Sequence, residues 1–280
     1  KVKLTIDCAK MQDFANYLRN EERSDATIEK YLRDVRFFLH YAKARMIDKQ
    51  LILDYKTELG IRFAVSSANS MIAALNSFLR FCGCCDLCVK QFKVQRQPYC
   101  PEEKELTRAE YVRLLNAATA RNNQKLNLII QTICGTGIRV SELQFITVEA
   151  LQRGEASVCC KGKSRRIFIV PSLKKKLLRY IKEQKIRSGP VFVTCRGTPI
   201  SRHSIWKAMK ALCKQANVLP GKVFPHNLRH LFARSFYEIE KDMAKLADLL
   251  GHASINTTRL YIVTTGAEHK KKMEHMRLII

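Results

Sequence analysis

Two prolines, Pro98 and Pro101, divide this chain into stretches that read differently. In Gln97-Pro98-Tyr99-Cys100-Pro101-Glu102-Glu103 the residue before each proline is pushed out of helical backbone, so no helix runs through. Residues 98–105 therefore read as a linker. Upstream, in 1–97, Ile28, Leu32, Val35, Leu39 and Ala42 recur at three- and four-residue steps, one face of a helix. Ser24 and Asp25 are placed to cap it. A second helix spans about residues 66–81, and strand signals are absent. This half reads as a small helical bundle.

Residues 106–280 read as mainly α with a small β-hairpin, an α+β domain. Thr107, with Glu110 three residues on, forms a capping box: the threonine accepts from a backbone N–H and the glutamate reaches back. Two β-prone runs, 156–160 and 166–170, flank Lys161-Gly162-Lys163-Ser164, a hairpin with a basic tip. Pro171-Ser172 opens a lysine-rich helix, and residues 191–194 read as a third short strand. Ser201 caps a helix carrying the single tryptophan, Trp206, read as core. Gly251 stands where a helix ending at Leu250 needs a left-handed residue.

The chain has 280 residues, which fits two domains at roughly 100–200 residues each. Fifty Lys and Arg against 25 Asp and Glu give a net charge of +25. The excess is uneven: residues 1–97 hold 17 basic and 11 acidic residues, and residues 98–280 hold 33 and 14. Such a balance points to a polyanion, most often nucleic acid, with a merely basic surface as the bland alternative. No apolar run approaches the roughly 18 residues of a membrane span. No signal peptide is visible. The first residue is Lys rather than Met, so the chain reads as a piece of a longer protein. Eleven cysteines without a secretion signal read as reduced thiols of a cytosolic protein. Cys82, Cys84, Cys85 and Cys88 crowd into seven residues with no distant ligand pair. Small idle or buried thiols fit that spacing better than zinc, so no metal is expected.

Four segments carry chemistry. Gly135-Thr136-Gly137-Ile138-Arg139-Val140-Ser141-Glu142-Leu143 places an arginine at a tight turn. His226-Asn227-Leu228-Arg229-His230 puts His226 and Arg229 on one helix face. Leu249-Leu250-Gly251-His252 leaves a histidine after a helix, and Tyr261 follows nine residues later. In this order the boxes resemble the tyrosine recombinase, or phage-integrase-like, family over residues 106 to about 263. That family carries G-x-R-x-x-E-L, a hairpin lysine, H-x-x-R, L-G-H and a tyrosine nine residues beyond. The helical half resembles its core-binding domain, and the resemblance implies a C-shaped clamp on DNA.

The resemblance also implies roles. Tyr261 attacks the scissile phosphate and becomes linked to the 3′ phosphate. Arg139 and Arg229 clamp the non-bridging oxygens, which suits a planar fork that stays protonated. Lys161 protonates the leaving 5′ oxygen, with Lys163 as the alternative. His252 adds a hydrogen bond to the phosphate, His226 is the base or relay for the phenol, and Glu142 orients its arginine. A free phenol titrates near ~10, so ionising one at pH 7 costs about 4 kcal/mol, which a cationic site offsets. Losing one such cation should cost roughly 3 kcal/mol. Each residue has a bland alternative: His226 and His230 filling a core, Tyr261 packing, Arg139 an ordinary surface charge. Their joint order is what favours chemistry.

Further expectations follow from the same resemblance. Arg33, Arg36 and Lys43 in the first half, and Lys163, Arg165, Arg166, Lys174, Lys175, Arg202 and Lys207 in the second, are read as DNA contacts. Basic helices, including residues 174–187, would set position on phosphates. The tail, about residues 267–280, forms a helix exchanged between protomers of a DNA-bound homo-tetramer. Partners are double-stranded recombination sites, with accessory DNA-bending factors compatible and no membrane. No cofactor is implied. The setting is a bacterial cytoplasm, nucleoid-associated when DNA is bound, and the activity is integration or excision of a mobile element or phage. Alternatives are a type IB topoisomerase, a catalytically inactive DNA-binding module, and a zinc-dependent nuclease.

Overall fold

In the computed structural model the described residues are 8–43, 45–94, 102–160, 163–252, 254–262 and 274–275. The chain divides into two compact units, residues 1–96 and 97–280.

The regular elements of the first unit, among its described residues, are helices: α1 (Cys8–Asn20), α2 (Asp25–Ala42), α3 (Lys49–Arg62) and α4 (Val65–Phe81). Of the predicted stripe of α2, Ile28, Val35 and Ala42 are buried and Leu32 and Leu39 are half-buried, while Phe38, which the spacing does not include, is buried with them. The predicted cap differs in detail. Ser24 is the N-cap, but its hydroxyl pairs with the Thr27 hydroxyl instead of a backbone N–H. Phe14 of α1 packs edge-on against Phe78 of α4, which ties the first helix to the last. Helix α4 stops at Phe81, so the cysteines from 82 onward lie past it rather than in it. The buried Asn76 amide bonds both backbone groups of Val89, laying the segment after α4 back along the helix.

The second unit holds α5 (Arg108–Ala120), α6 (Gln124–Thr136), a 3₁₀ stretch at Val140–Phe145 and α7 (Val148–Arg153). Then come β1 (Glu155–Cys160), β2 (Lys163–Phe168), α8 (Pro171–Glu183) and α9 (Arg202–Ala216). It closes with α10 (Pro225–Glu240), α11 (Met243–Leu250) and α12 (Ile255–Arg259). Leu114, Ile129, Ile133, Leu151, Leu177 and Leu212 form a shared core. Thr107 and Glu110 make the predicted reciprocal cap of α5. Residues 102–104 of the stretch read as a linker form a 3₁₀ turn, whose Lys104 carbonyl accepts from Asn227 of α10.

Three readings need correction. The hairpin is tighter than expected: Cys160 pairs with Lys163, so Lys163 and Ser164 are strand residues, not tip. Residues 191–194 form no strand. Val193 makes an isolated bridge to Pro199, and the bonds from Thr194 N–H to the Thr198 carbonyl and from Ile200 N–H to the Phe192 carbonyl close a tight turn without extending a ladder. Trp206 is not core. Helix α9 buries Ile205, Met209, Leu212 and Ala216, and the indole sits off that stripe, 42% exposed.

Thr107→Ala should remove the α5 cap and lower the unfolding free energy by about 1 kcal/mol in urea titration, while Thr119→Ala, at the exposed far end of the helix, changes it little.

Candidate active site

The turn after α6 sets the first arginine. Gly137 has φ 63°, and a Cβ there would meet the Phe232 ring at 2.4 Å, so only glycine turns the chain at this point. Arg139 follows. Its backbone N–H and its guanidinium both donate to the Glu142 carboxylate, at 2.9 and 2.8 Å. Glu142 is 2% exposed and also accepts from Arg165 at 2.5 Å. Burial alone would raise its pKa. The Arg139 hydrogen bonds and the Arg165 charge outweigh that and hold it below the usual carboxylate range. Glu142 is thus an ionised clamp between two guanidinium groups. Arg139 keeps 40% of its side chain open to solvent.

Arg229 lies one turn along α10 from His226 and is 1% exposed. It donates to the Gly137 carbonyl and to the Leu250 carbonyl, both at 2.6 Å. These carbonyls close α6 and α11, whose dipoles end in negative charge. Its Nε has no partner. Burial, with the Arg139 charge added, lowers its pKa to about 10, which leaves it protonated at neutral pH.

His252 follows Gly251, the left-handed cap of α11 at φ 63°. Its Nε2 is 3.0 Å from the Arg229 guanidinium and its Nδ1 is 2.9 Å from the Thr258 hydroxyl. Arginine can only donate, so Nε2 accepts and Nδ1 carries the proton toward Thr258. Burial, reinforced by Arg229 and Arg139, pushes His252 down to about 4. In this state its Nε2 lone pair is engaged by Arg229 and cannot also donate to a phosphate.

Tyr261 lies just past α12 and is 6% exposed, packed on Ala233, Leu246 and Leu250. Its Oη is 3.2 Å from His226 Nε2. Burial of part of the imidazole, then the charges of Arg229 and Arg139, lower the His226 pKa. A neutral His226 can accept the phenolic proton. The Arg229 guanidinium carbon is 5.8 Å from the centre of the Tyr261 ring. Four of the six expected catalytic side chains, His226, Arg229, His252 and Tyr261, thus form one cluster, joined to Arg139 through the Gly251 carbonyl at 3.4 Å. Lys161 lies outside the described residues.

The expected DNA contacts separate into kinds. Arg33, Arg36, Lys43, Lys175, Arg202 and Lys207 are exposed. Arg166 is open but within 3.9 Å of Glu155. Lys174 donates to the Gln152 carbonyl. Arg165 points inward: besides Glu142 it donates to the Leu249 carbonyl at 2.5 Å. Its strand partner is the buried Val158, so both face the interior, an alternation that Ile167 two residues on already signals. The predicted tail helix falls outside the described residues except for Glu274 and His275.

Sequence reasoning read Arg165 as an outward DNA contact, where it instead turns in to Glu142, and it missed Thr258 as the group that orients His252. It left His230 among core fillers. It also missed that Trp206, with Arg202 and His203, lines an open cleft of about 600 Å³ bordered by Arg139, His226 and Arg229. Among the described residues no group of three or more metal-binding side chains converges, and no helix is long and apolar enough to cross a membrane.

Residues 104–267, which hold this cluster, match the sequence model of the phage integrase family. Residues 11–82 match that family's N-terminal SAM-like domain. This chain belongs to the phage integrase family, the tyrosine-type site-specific recombinases. It is 27% identical to tyrosine recombinase XerA of Pyrococcus furiosus, across 98% of this chain and 96% of that protein. It is 29% identical to tyrosine recombinase XerD of Halalkalibacterium halodurans, across 95% and 96%. In fold it resembles a lambda integrase tetramer bound to a Holliday junction, with a TM-score of 0.73 and 17% identity over 90% of this chain and 76% of that one.

The histidine cluster makes stability pH-dependent. Unfolded histidines take up protons near 6.5, whereas His252 holds out to about 4 and His230 to about 3. Between those values the unfolded chain binds more protons, so this stability is complete above pH ~6.5 and lost as pH falls. The unfolding free energy in urea should decline from pH 7 to 4, and His230→Phe should decline less steeply; equal slopes would contradict a neutral His230.

Proposed function

We propose that this recombinase cleaves and rejoins DNA through a 3′-phosphotyrosine intermediate formed on Tyr261. The observation that carries the proposal is the Tyr261 Oη 3.2 Å from His226 Nε2, beside the buried Arg229. The phenol attacks phosphorus and gives its proton to His226. The bond to the 5′ oxygen breaks, and Lys161, or failing it Lys163, returns a proton to that oxygen. Arg139 and Arg229 stabilise the charge that builds on the non-bridging oxygens. The phosphotyrosine conserves the energy of the broken bond, so a second 5′ hydroxyl reverses the attack and releases the phenol. His252 donates to the phosphate once Arg229 has turned to it and the ring proton has moved from Nδ1 to the freed Nε2.

The substrate in this proposal is duplex DNA carrying a specific site. Arg202, Lys207 and Lys175, all exposed, are proposed to meet phosphates or groove edges. Four copies on two sites would exchange strands in pairs, as the named lambda integrase assembly on a Holliday junction suggests for its own chain. The setting we propose is integration or excision of a mobile or phage element, in keeping with the family's description.

A nicked suicide substrate should trap a covalent complex with the intact enzyme in EDTA, and Tyr261→Phe should trap none; trapping by that variant would end the proposal. Relaxation of supercoils without exchange between two sites would favour a topoisomerase instead. Deleting the residues after Thr265 should leave DNA affinity within about threefold and weaken tetramer assembly on DNA in sedimentation; unchanged assembly would refute tail exchange.

A further inference from the structure

Every group discussed so far acts through a polar atom, but the Tyr261 phenol is held on its face by a residue with no polar role. His230 is one turn beyond His226 on α10, so the two share a helix face. Its imidazole lies flat on the Tyr261 ring, with centroids 4.2 Å apart and planes 11° from parallel. His226 meets both rings edge-on, at 4.8 Å to His230 and 5.2 Å to Tyr261. His252 leans against the phenol from another side, at 4.8 Å and 48°.

The single bond from the phenol to His226 fixes one point of the ring. The apolar packing on Ala233, Leu246 and Leu250 is non-directional, so it fixes the ring's place better than its tilt. In-line attack on phosphorus demands a defined direction of approach, and small misplacements at a reacting atom are costly. A flat partner removes that freedom, because parallel aromatic faces keep their separation while resisting tilt. The partner must also be uncharged. Arg229, Arg234, His226 and His252 all face His230, and an imidazolium there would add to a cationic site that has Glu142 as its one neighbouring carboxylate among the groups that bear on Arg229.

We propose that His230 is a positioning residue: by stacking flat on Tyr261 it holds the nucleophile's ring in the plane from which it attacks. The inference rests on the proposed role of Tyr261 and assigns His230 no proton transfer. What matters in it is planarity rather than nitrogen, so the two properties separate by substitution.

The test compares His230→Phe, which keeps a flat ring, with His230→Leu, which fills similar space without one. Both are apolar, so both suit the partly buried position. Single-turnover cleavage of the nicked suicide substrate is measured with enzyme saturating, beside DNA affinity and urea unfolding. Trapping by the unsubstituted protein checks Tyr261 chemistry separately. His230→Phe should cleave within about threefold of the unsubstituted rate with the same pH profile, and His230→Leu should cleave roughly tenfold or more slowly at unchanged DNA affinity. Equal rates for the two variants, fast or slow, would overturn the stacking role. So would loss of the acidic limb of the pH profile in His230→Phe, which would make His230 a proton carrier.

Discussion

A guanidinium that is 1% exposed and has no carboxylate hydrogen-bonded to it is the constraint on which this catalytic unit turns. Burying an unpaired charge is costly unless dipoles replace the lost water. Here the dipoles belong to the backbone. Arg229 donates to carbonyls at the ends of α6 and α11, each of which finishes in a left-handed glycine, Gly137 and Gly251. Those glycines let both helices stop with a carbonyl facing inward. At Gly251 a Cβ would lie 2.5 Å from Arg165, so the second helix end is also fitted against the hairpin. The arginine, the turn carrying Arg139 and the loop carrying His252 are thus placed by one set of carbonyls.

Around that arginine the charges do not balance. Arg139 and Arg165 share Glu142, Arg229 pairs with no carboxylate among the described residues, and the three nearby imidazoles are all pushed toward the neutral form. The remainder is a positive site with fixed geometry, which suits an anion that gains charge as it reacts. Glu142 takes its share from Arg139 and Arg165, leaving Arg139 half open to the cleft. The basic excess of residues 98–280 is therefore of two sorts. Arg165 and Arg229 turn inward and build the site, while Arg202, Lys207 and Lys175 stay outside.

Much of this was legible in the sequence because local chemistry and spacing agree. The Thr107–Glu110 cap, the glycine after Leu250 and the apolar stripe of α2 are short-range signals, and each forms as its residues dictate. The tyrosine, two histidines and buried arginine could be found from their order along the chain, since each sits at a helix end or on one helix face. What the sequence hid depends on partners distant in the chain. Arg165 meets Glu142 across 23 residues, and nothing beside it distinguishes it from the solvent-facing Arg166 except strand phase. Trp206 looked like core by composition, yet the buried stripe of α9 passes through Ile205 beside it. The Thr258–His252 pair and the His230–Tyr261 stack exist only once α10, α11 and α12 have packed.

The seat of Tyr261 has a consequence for how copies of this chain would govern one another. Phenol, imidazoles and both active-site arginines come from a single polypeptide, and the phenol is already tucked against its own α10. With Tyr261 in the role proposed above, each subunit would carry its own nucleophile, and neighbours would govern cleavage by where they hold α12 relative to α10.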